Sequence, residues 1–214
     1  MYSVFSHARE PVNSFTHFIG AVLSSIGTII LLSAAMHATT VQTLIGVAVF
    51  GMSLVALYSA SALYHYVQVS PAALLRFRKL DHSMIFVLIA GTYTPLFLRF
   101  SPQNGVLFTG IIWGTALLGI FLKLVWMDMP RFLSTLFYVA MGWAIAFDPP
   151  MLAVLPAGCT MLLLAGGLAY TAGAAIYWLK KPNFLRSLGF HELFHLFVLA
   201  GSVFHFLAIL LYML

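Results

Sequence analysis

Seven long apolar stretches, separated by short polar breaks, constrain this chain more tightly than any other feature. They run over residues 14–36, 42–66, 82–99, 105–125, 132–147, 153–178 and 191–213. A membrane-spanning helix needs about 20 mostly apolar residues, and each stretch comes near or above that length. Inside a bilayer every backbone N–H and C=O must find a partner within the protein, which leaves helices and closed β-barrels. Barrel strands alternate apolar and polar residues. These stretches are continuous, so the pattern predicts helices.

Charge content agrees. The chain is 62% hydrophobic and 7% charged, against about 25% charged in a soluble domain, which excludes a soluble globule. The breaks carry turn and charge residues: Pro71 with Arg76, Arg78 and Lys79; Ser101 to Asn104; Met129-Pro130-Arg131; Asp148-Pro149-Pro150; and Lys180 to Asn183. The first stretch is expected to be retained rather than cleaved as a signal peptide. Glu10 sits where a basic n-region belongs, and Phe18–Ala35 is too long for an h-region. A formal charge of +5 comes without a basic stripe interleaved with aromatics, so nucleic acid is not an expected partner. The single cysteine, Cys159, rules out an intramolecular disulfide and a cysteine-based metal cluster, and is expected to be an inert core residue.

Lysine and arginine placement predicts orientation. With the N-terminus inside, Arg9, Arg76, Arg78, Lys79, Lys123, Arg131, Lys180, Lys181 and Arg186 fall on cytoplasmic segments, and only Arg99 falls outside. Trp126 and Trp178 flank two of the basic clusters, as interfacial tryptophans do. The expected fold is therefore an all-α integral membrane protein. It is a single domain over 1–214, a seven-transmembrane-helix bundle with a cytoplasmic N-terminus and an outer C-terminus. That orientation opposes a conventional G-protein-coupled receptor.

Ionisable groups inside apolar spans are costly and point to function. His65 ends the second span, Asp81 opens the third, and His191 and His195 open the seventh, so all four share the inner-leaflet level. Four residues apart, His191 and His195 project from one helix face. Such a pair can bind zinc through imidazole nitrogens, with His65 as a third ligand. Three neutral ligands leave the ion its full charge, which acidifies a water in the fourth position, and Asp81 would sit beside it as base or acceptor. Ser61 lies one turn before His65 and Ser187 four residues before His191. Either hydroxyl could reach the site or simply bond a backbone carbonyl. Glu10, Asn13 and His17 share one face of the first span. Two readings stay open for them: residues lining the site's mouth or supporting its ligands, or a polar helix start capped by Asn13 or Ser14. His82 points about 100° from Asp81 on a helix and is at most a supporting residue. His7 belongs to the tail and His37 to an outer loop. His205 is about 15 Å along the helix from His195 and is expected to be structural.

The segments "EPVNSFTHFIGAVLSSIG", "SALYHYV", "RKLDHSMIFVLIAGTYTP" and "FHELFHLFVLAGSVFHFLAI" resemble the bacterial hemolysin III proteins. These belong to the progestin and adipoQ receptor family, which includes the adiponectin receptors, and the likeness spans essentially the whole chain. The resemblance implies seven helices, a cytoplasmic N-terminus and a zinc ion near the inner leaflet, with His65, His191 and His195 as ligands. It also implies Asp81 near the zinc-bound water and Ser61 as the serine of the first block. The family is similar to alkaline ceramidases, which hydrolyse lipid amides. A role in membrane lipid or fluidity homeostasis is the expectation for bacterial members. The chain lacks the long N-terminal region of the receptor branch, which argues against a hormone receptor.

The pattern His191-Glu192-x-x-His195 is also that of zinc proteases, where Glu192 would be the general base. That reading leaves His65 and Asp81 unexplained, whereas the three-histidine reading uses all four residues. The expected activity is hydrolysis of a lipid amide or ester, with membrane lipids as partners and an acyl chain held among the helices. The rivals are a non-catalytic membrane-state regulator with structural zinc, a cytolysin, and an intramembrane protease.

Overall fold

The computed structural model describes residues 5–38, 40–101, 103–184 and 188–214. Among the described residues eight α-helices follow one another: α1 (Pro11–Ala38), α2 (Val41–Tyr66), α3 (Pro71–Phe100), α4 (Gly105–Val125), α5 (Arg131–Gly142), α6 (Pro149–Val154), α7 (Ala157–Leu179) and α8 (Phe190–Tyr212). A 3-10 turn, Ala144–Phe147, joins α5 to α6. Helix starts follow local chemistry. The Thr40, Ser70 and Asp148 side chains accept from the backbone N–H three residues on. Pro71 and Pro149 stand in first turns, where a missing N–H costs nothing.

Among the described residues six helices, α1 to α4, α7 and α8, are long and apolar enough to cross a membrane. The expected span 132–147 is not one continuous helix. At 1.5 Å per residue, the 12 residues of α5 reach about 18 Å, short of a hydrocarbon core of about 30 Å. The chain then turns at Trp143. Backbone groups freed there are satisfied from α3: the Tyr93 hydroxyl donates to Gly142 O at 2.5 Å and accepts from Ile145 N at 3.0 Å. Trp143 Nε1 donates to Thr171 Oγ1 on α7 at 3.0 Å. Irregular backbone at membrane depth survives only with such partners. Position 37 falls in the last turn of α1 rather than in a loop.

Sequence neighbours pack side by side: α1 on α2, α2 on α3, α3 on α4, and α7 on α8, while α8 also returns against α1. Helices α2 and α3 are the most enclosed. Polarity is reversed relative to a soluble bundle. Val106, Leu117 and Phe121 face outward, whereas Asn13, His17, Ser61, His65 and His195 are buried. Trp126 and Trp178 are exposed. A bundle with an apolar outside and a polar inside is a multi-pass membrane protein.

One end of the bundle gathers the starts of α1, α3, α5 and α8 with the ends of α2, α4 and α7. The links are explicit: Glu10 N donates to His65 O, Lys79 Nζ to Leu124 O, Arg131 Nη1 to Tyr177 O, and Asn13 Nδ2 to Glu192 Oε1.

Candidate metal centre

That end holds the expected histidines. His65, His191 and His195 each offer a ring nitrogen, and the three lie within 4.8 Å of one another. His65 and His195 are buried and His191 is partly so. The ring centroids of His65 stand 5.0 Å from those of His191 and 4.8 Å from those of His195, near edge-on in both cases. The helical offset of four residues puts His191 and His195 on one face, and the last turn of α2 brings His65 opposite them.

The donor chemistry fits a metal. His65 Nδ1 lies 2.7 Å from Glu10 Oε2. An ionised carboxylate only accepts, so Nδ1 carries the proton and Nε2 is the nitrogen left to face a metal. That Nε2 is buried and has no protein partner. An unpartnered buried nitrogen is costly, and a metal ion shared with His191 and His195 would satisfy it. Burial alone would push the Glu10 carboxyl up. Its hydrogen bond with His65 and the charge of Arg9 outweigh this and hold it below the usual carboxylate range.

Glu10 is the first link of a longer chain. Asn13 Nδ2 donates to Glu10 Oε2 at 3.1 Å and to Glu192 Oε1 at 2.9 Å, and Glu192 Oε2 accepts from Gly189 N at 2.9 Å. Of the two readings for the first span, ligand support is the one these contacts express. Glu10 O accepts the first helical bond, from Ser14 N, and Ser14 Oγ donates to Ala62 O, so neither Asn13 nor Ser14 caps α1. Glu192 is engaged at the start of α8 and with Asn13. His17 stacks on His195, with centroids 3.6 Å apart and planes 13° apart, rather than joining the nitrogen cluster.

Asp81, Ser61, His191 and His195 line one cavity of about 530 Å³. Ser61 is buried and faces the same cavity as the Asp81 carboxyl. From there the cavity runs between α2, α3, α5, α7 and α8 past Leu88, Leu96, Val139, Leu163 and Val198. His82 lines it too, although its Nδ1 is buried without a partner. His205 Nε2 lies 3.2 Å from Leu163 O, linking α8 to α7 as a structural histidine would. Ser187 lies outside the described residues. Cys159 is buried.

Two lining residues escaped sequence reasoning. Arg78 and Arg131 look like topology signals in the sequence, yet both face this cavity. Arg78 was in principle legible, because it stands three residues before Asp81 and so shares its helix face. Arg131 carried no such signal, since its place depends on how α5 packs beside α7.

Known proteins place the chain. The model of the family described as "Haemolysin-III related" matches residues 5–206. The chain is 38% identical over 208 residues to Hemolysin-3 of Bacillus cereus, covering 96% of this chain and 92% of that protein. It is 36% identical over 214 residues to the Hemolysin-3 homolog of Bacillus subtilis (strain 168), covering 98% and 96% respectively. A near-complete family match, two full-length relatives and six apolar helices agree with a multi-pass protein of the bacterial cell membrane. The chain belongs to the haemolysin-III related family.

Proposed function

We propose that this protein is a zinc-dependent hydrolase of membrane lipids, cleaving an amide or ester bond at the cytoplasmic leaflet. The broken α5–α6 segment counts as one crossing in this reading, giving seven spans with the N-terminus inside. The observation that carries it is the juxtaposition of three histidine nitrogens, Asp81 and a long, mostly apolar cavity. His65, His191 and His195 would hold the ion. Bound zinc supplies Lewis acidity, polarising a carbonyl and acidifying water. Asp81 takes the proton of the attacking water as the new carbon–oxygen bond forms, then returns it to the leaving nitrogen or oxygen as the old bond breaks. Ser61, which lines the same cavity, would orient the Asp81 carboxyl. The apolar walls hold the acyl chain, and a cavity of this size is ordinary for a lipid-like ligand.

The test pairs bound zinc with product release from mixed membrane lipids. Wild type should carry one zinc per chain and release fatty acid. Asp81→Asn should keep zinc and lose about 10²- to 10⁴-fold in rate, the range for general-base catalysis. His191→Ala with His195→Ala should lose the metal. Full zinc in that double variant would sink the ligand assignment, and zinc loss in Asp81→Asn would make Asp81 a ligand.

One observation favours a second reading, the non-catalytic regulator. The chain His65–Glu10–Asn13–Glu192 ties α2, α1 and α8 together, as a structural zinc staple would require. Intact zinc without hydrolysis in wild type would select it. Glu192, with its oxygens bonded to Asn13 and Gly189, gives the protease reading no support.

A further inference from the structure

Among the described Lys and Arg residues, only Arg78 and Arg131 line the cavity that His191, His195 and Asp81 also line. Their neutralisation differs from that of Arg9, which pairs with Glu10 at 3.1 Å. The acidic neighbour of Arg78 is Asp128 at 4.0 Å, whose side chain is 92% exposed, and such a pair holds a charge weakly. For Arg131, the described residues provide no ion pair. Its guanidinium lies 4.6 Å above the Tyr177 ring and 5.6 Å from that of Phe190, and donates once to a backbone carbonyl. Stacking fixes the plane of the fork and leaves donors unused. Phe190 immediately precedes His191, so Arg131 is fastened beside a histidine of the cluster. Arg78 is three residues from Asp81, about 4.5 Å along α3 toward the charged end.

Two under-neutralised guanidinium groups at the head of an apolar cavity match one ligand chemistry, an oxyanion carried on a lipid chain. Guanidinium forks recognise phosphate and carboxylate through paired hydrogen bonds. In a glycerophospholipid the phosphate lies a few covalent bonds from the acyl ester, the same order of separation as Arg78 from Asp81. We propose that Arg78 and Arg131 clamp the phosphate of a lipid headgroup, so that the lipid presented to the three-histidine site is a phospholipid rather than a neutral lipid amide. This rests on the lipid-hydrolase reading for its meaning, but the clamp can be tested without turnover.

The experiment uses the full chain with its metal in detergent micelles. The probes are phosphatidylglycerol and diacylglycerol with identical acyl chains, and bound lipid and bound zinc are measured together. Wild type should bind phosphatidylglycerol in preference. Arg78→Gln and Arg131→Gln should each weaken that binding by about 10-fold or more, the worth of a lost charge-assisted contact. Diacylglycerol binding and zinc content should not change. Arg76→Gln, a basic position on the same helix outside the cavity, should behave as wild type. Should Arg131→Gln fail to yield folded protein, Arg78→Gln decides alone, because that side chain is 41% exposed and weakly paired. Equal weakening in Arg76→Gln, or equal wild-type affinity for the two lipids, overturns the clamp. Inorganic phosphate that binds alone and fully displaces phosphatidylglycerol assigns the site to free phosphate and overturns the headgroup. Arginine-dependent lipid binding without hydrolysis of any lipid upholds the clamp while removing the hydrolase. Hydrolysis sensitive to Asp81→Asn, with lipid binding indifferent to both arginines, does the reverse.

Discussion

His65 is oriented by a residue 55 positions earlier in the chain, Glu10, across a 2.7 Å contact. A carboxylate on the far nitrogen of a metal-facing imidazole fixes its tautomer and raises its basicity, and removing such a partner typically costs 10- to 100-fold in metal affinity. Glu10→Ala is therefore expected to weaken zinc binding by about that factor in a chelator competition, while the helical content stays unchanged. Unaltered affinity would reduce Glu10 to a helix-end residue. The candidate ligands themselves were legible in the sequence because helical spacing alone puts His191 and His195 on one face, and depth alone brings His65 and Asp81 level with them. The Glu10 contact was only half legible. Its polarity and face were visible, but the choice between capping α1 and supporting His65 is made by how α1 packs on α2.

At the scale of elements, the close approach of α2 to α3 is set by a glycine. A Cβ built on Gly46 would stand 2.8 Å from Pro95 Cα, a backbone atom that cannot swing aside. Gly46→Leu is thus expected to cost about 1–3 kcal/mol through overpacking. Gly110→Ala, where a Cβ meets nothing within 4 Å, should cost little. Denaturant unfolding of both variants in detergent checks the contrast, and equal stability would mean that the α2–α3 contact can yield without cost. Most helix ends could be read from proline, serine and charge at the breaks. The interruption after Gly142 could not, because a continuous apolar run reports burial in lipid and says nothing about whether each residue stays helical. The decisive group is the Tyr93 hydroxyl, which lies on another helix and satisfies Gly142 O and Ile145 N, while Thr171 anchors the Trp143 side chain.

At the scale of the whole molecule, charge is segregated. Among the described residues, Arg9, Arg76, Arg78, Lys79, Lys123, Arg131, Lys180 and Lys181 belong to the segments at the histidine end, and Arg99 to the opposite end. The proposed orientation puts the histidine end in the cytoplasm and the C-terminus outside. A reporter enzyme active only outside the cell, fused after Leu214, should therefore be active. A fusion active only in the cytoplasm would reverse the orientation and carry the histidine cluster to the outer leaflet with it. Four of the chain's acidic residues, Glu10, Asp81, Asp128 and Glu192, share that end with the eight cations, leaving an excess of four positive charges there among the described residues. A cell membrane is electrically polarised, and each elementary charge moved through 100 mV changes the free energy by about 2.3 kcal/mol. Inverting the assembled bundle against an interior-negative potential would thus cost on the order of 10 kcal/mol. An energised membrane would hold the histidine end inward by a force that no contact within the protein supplies.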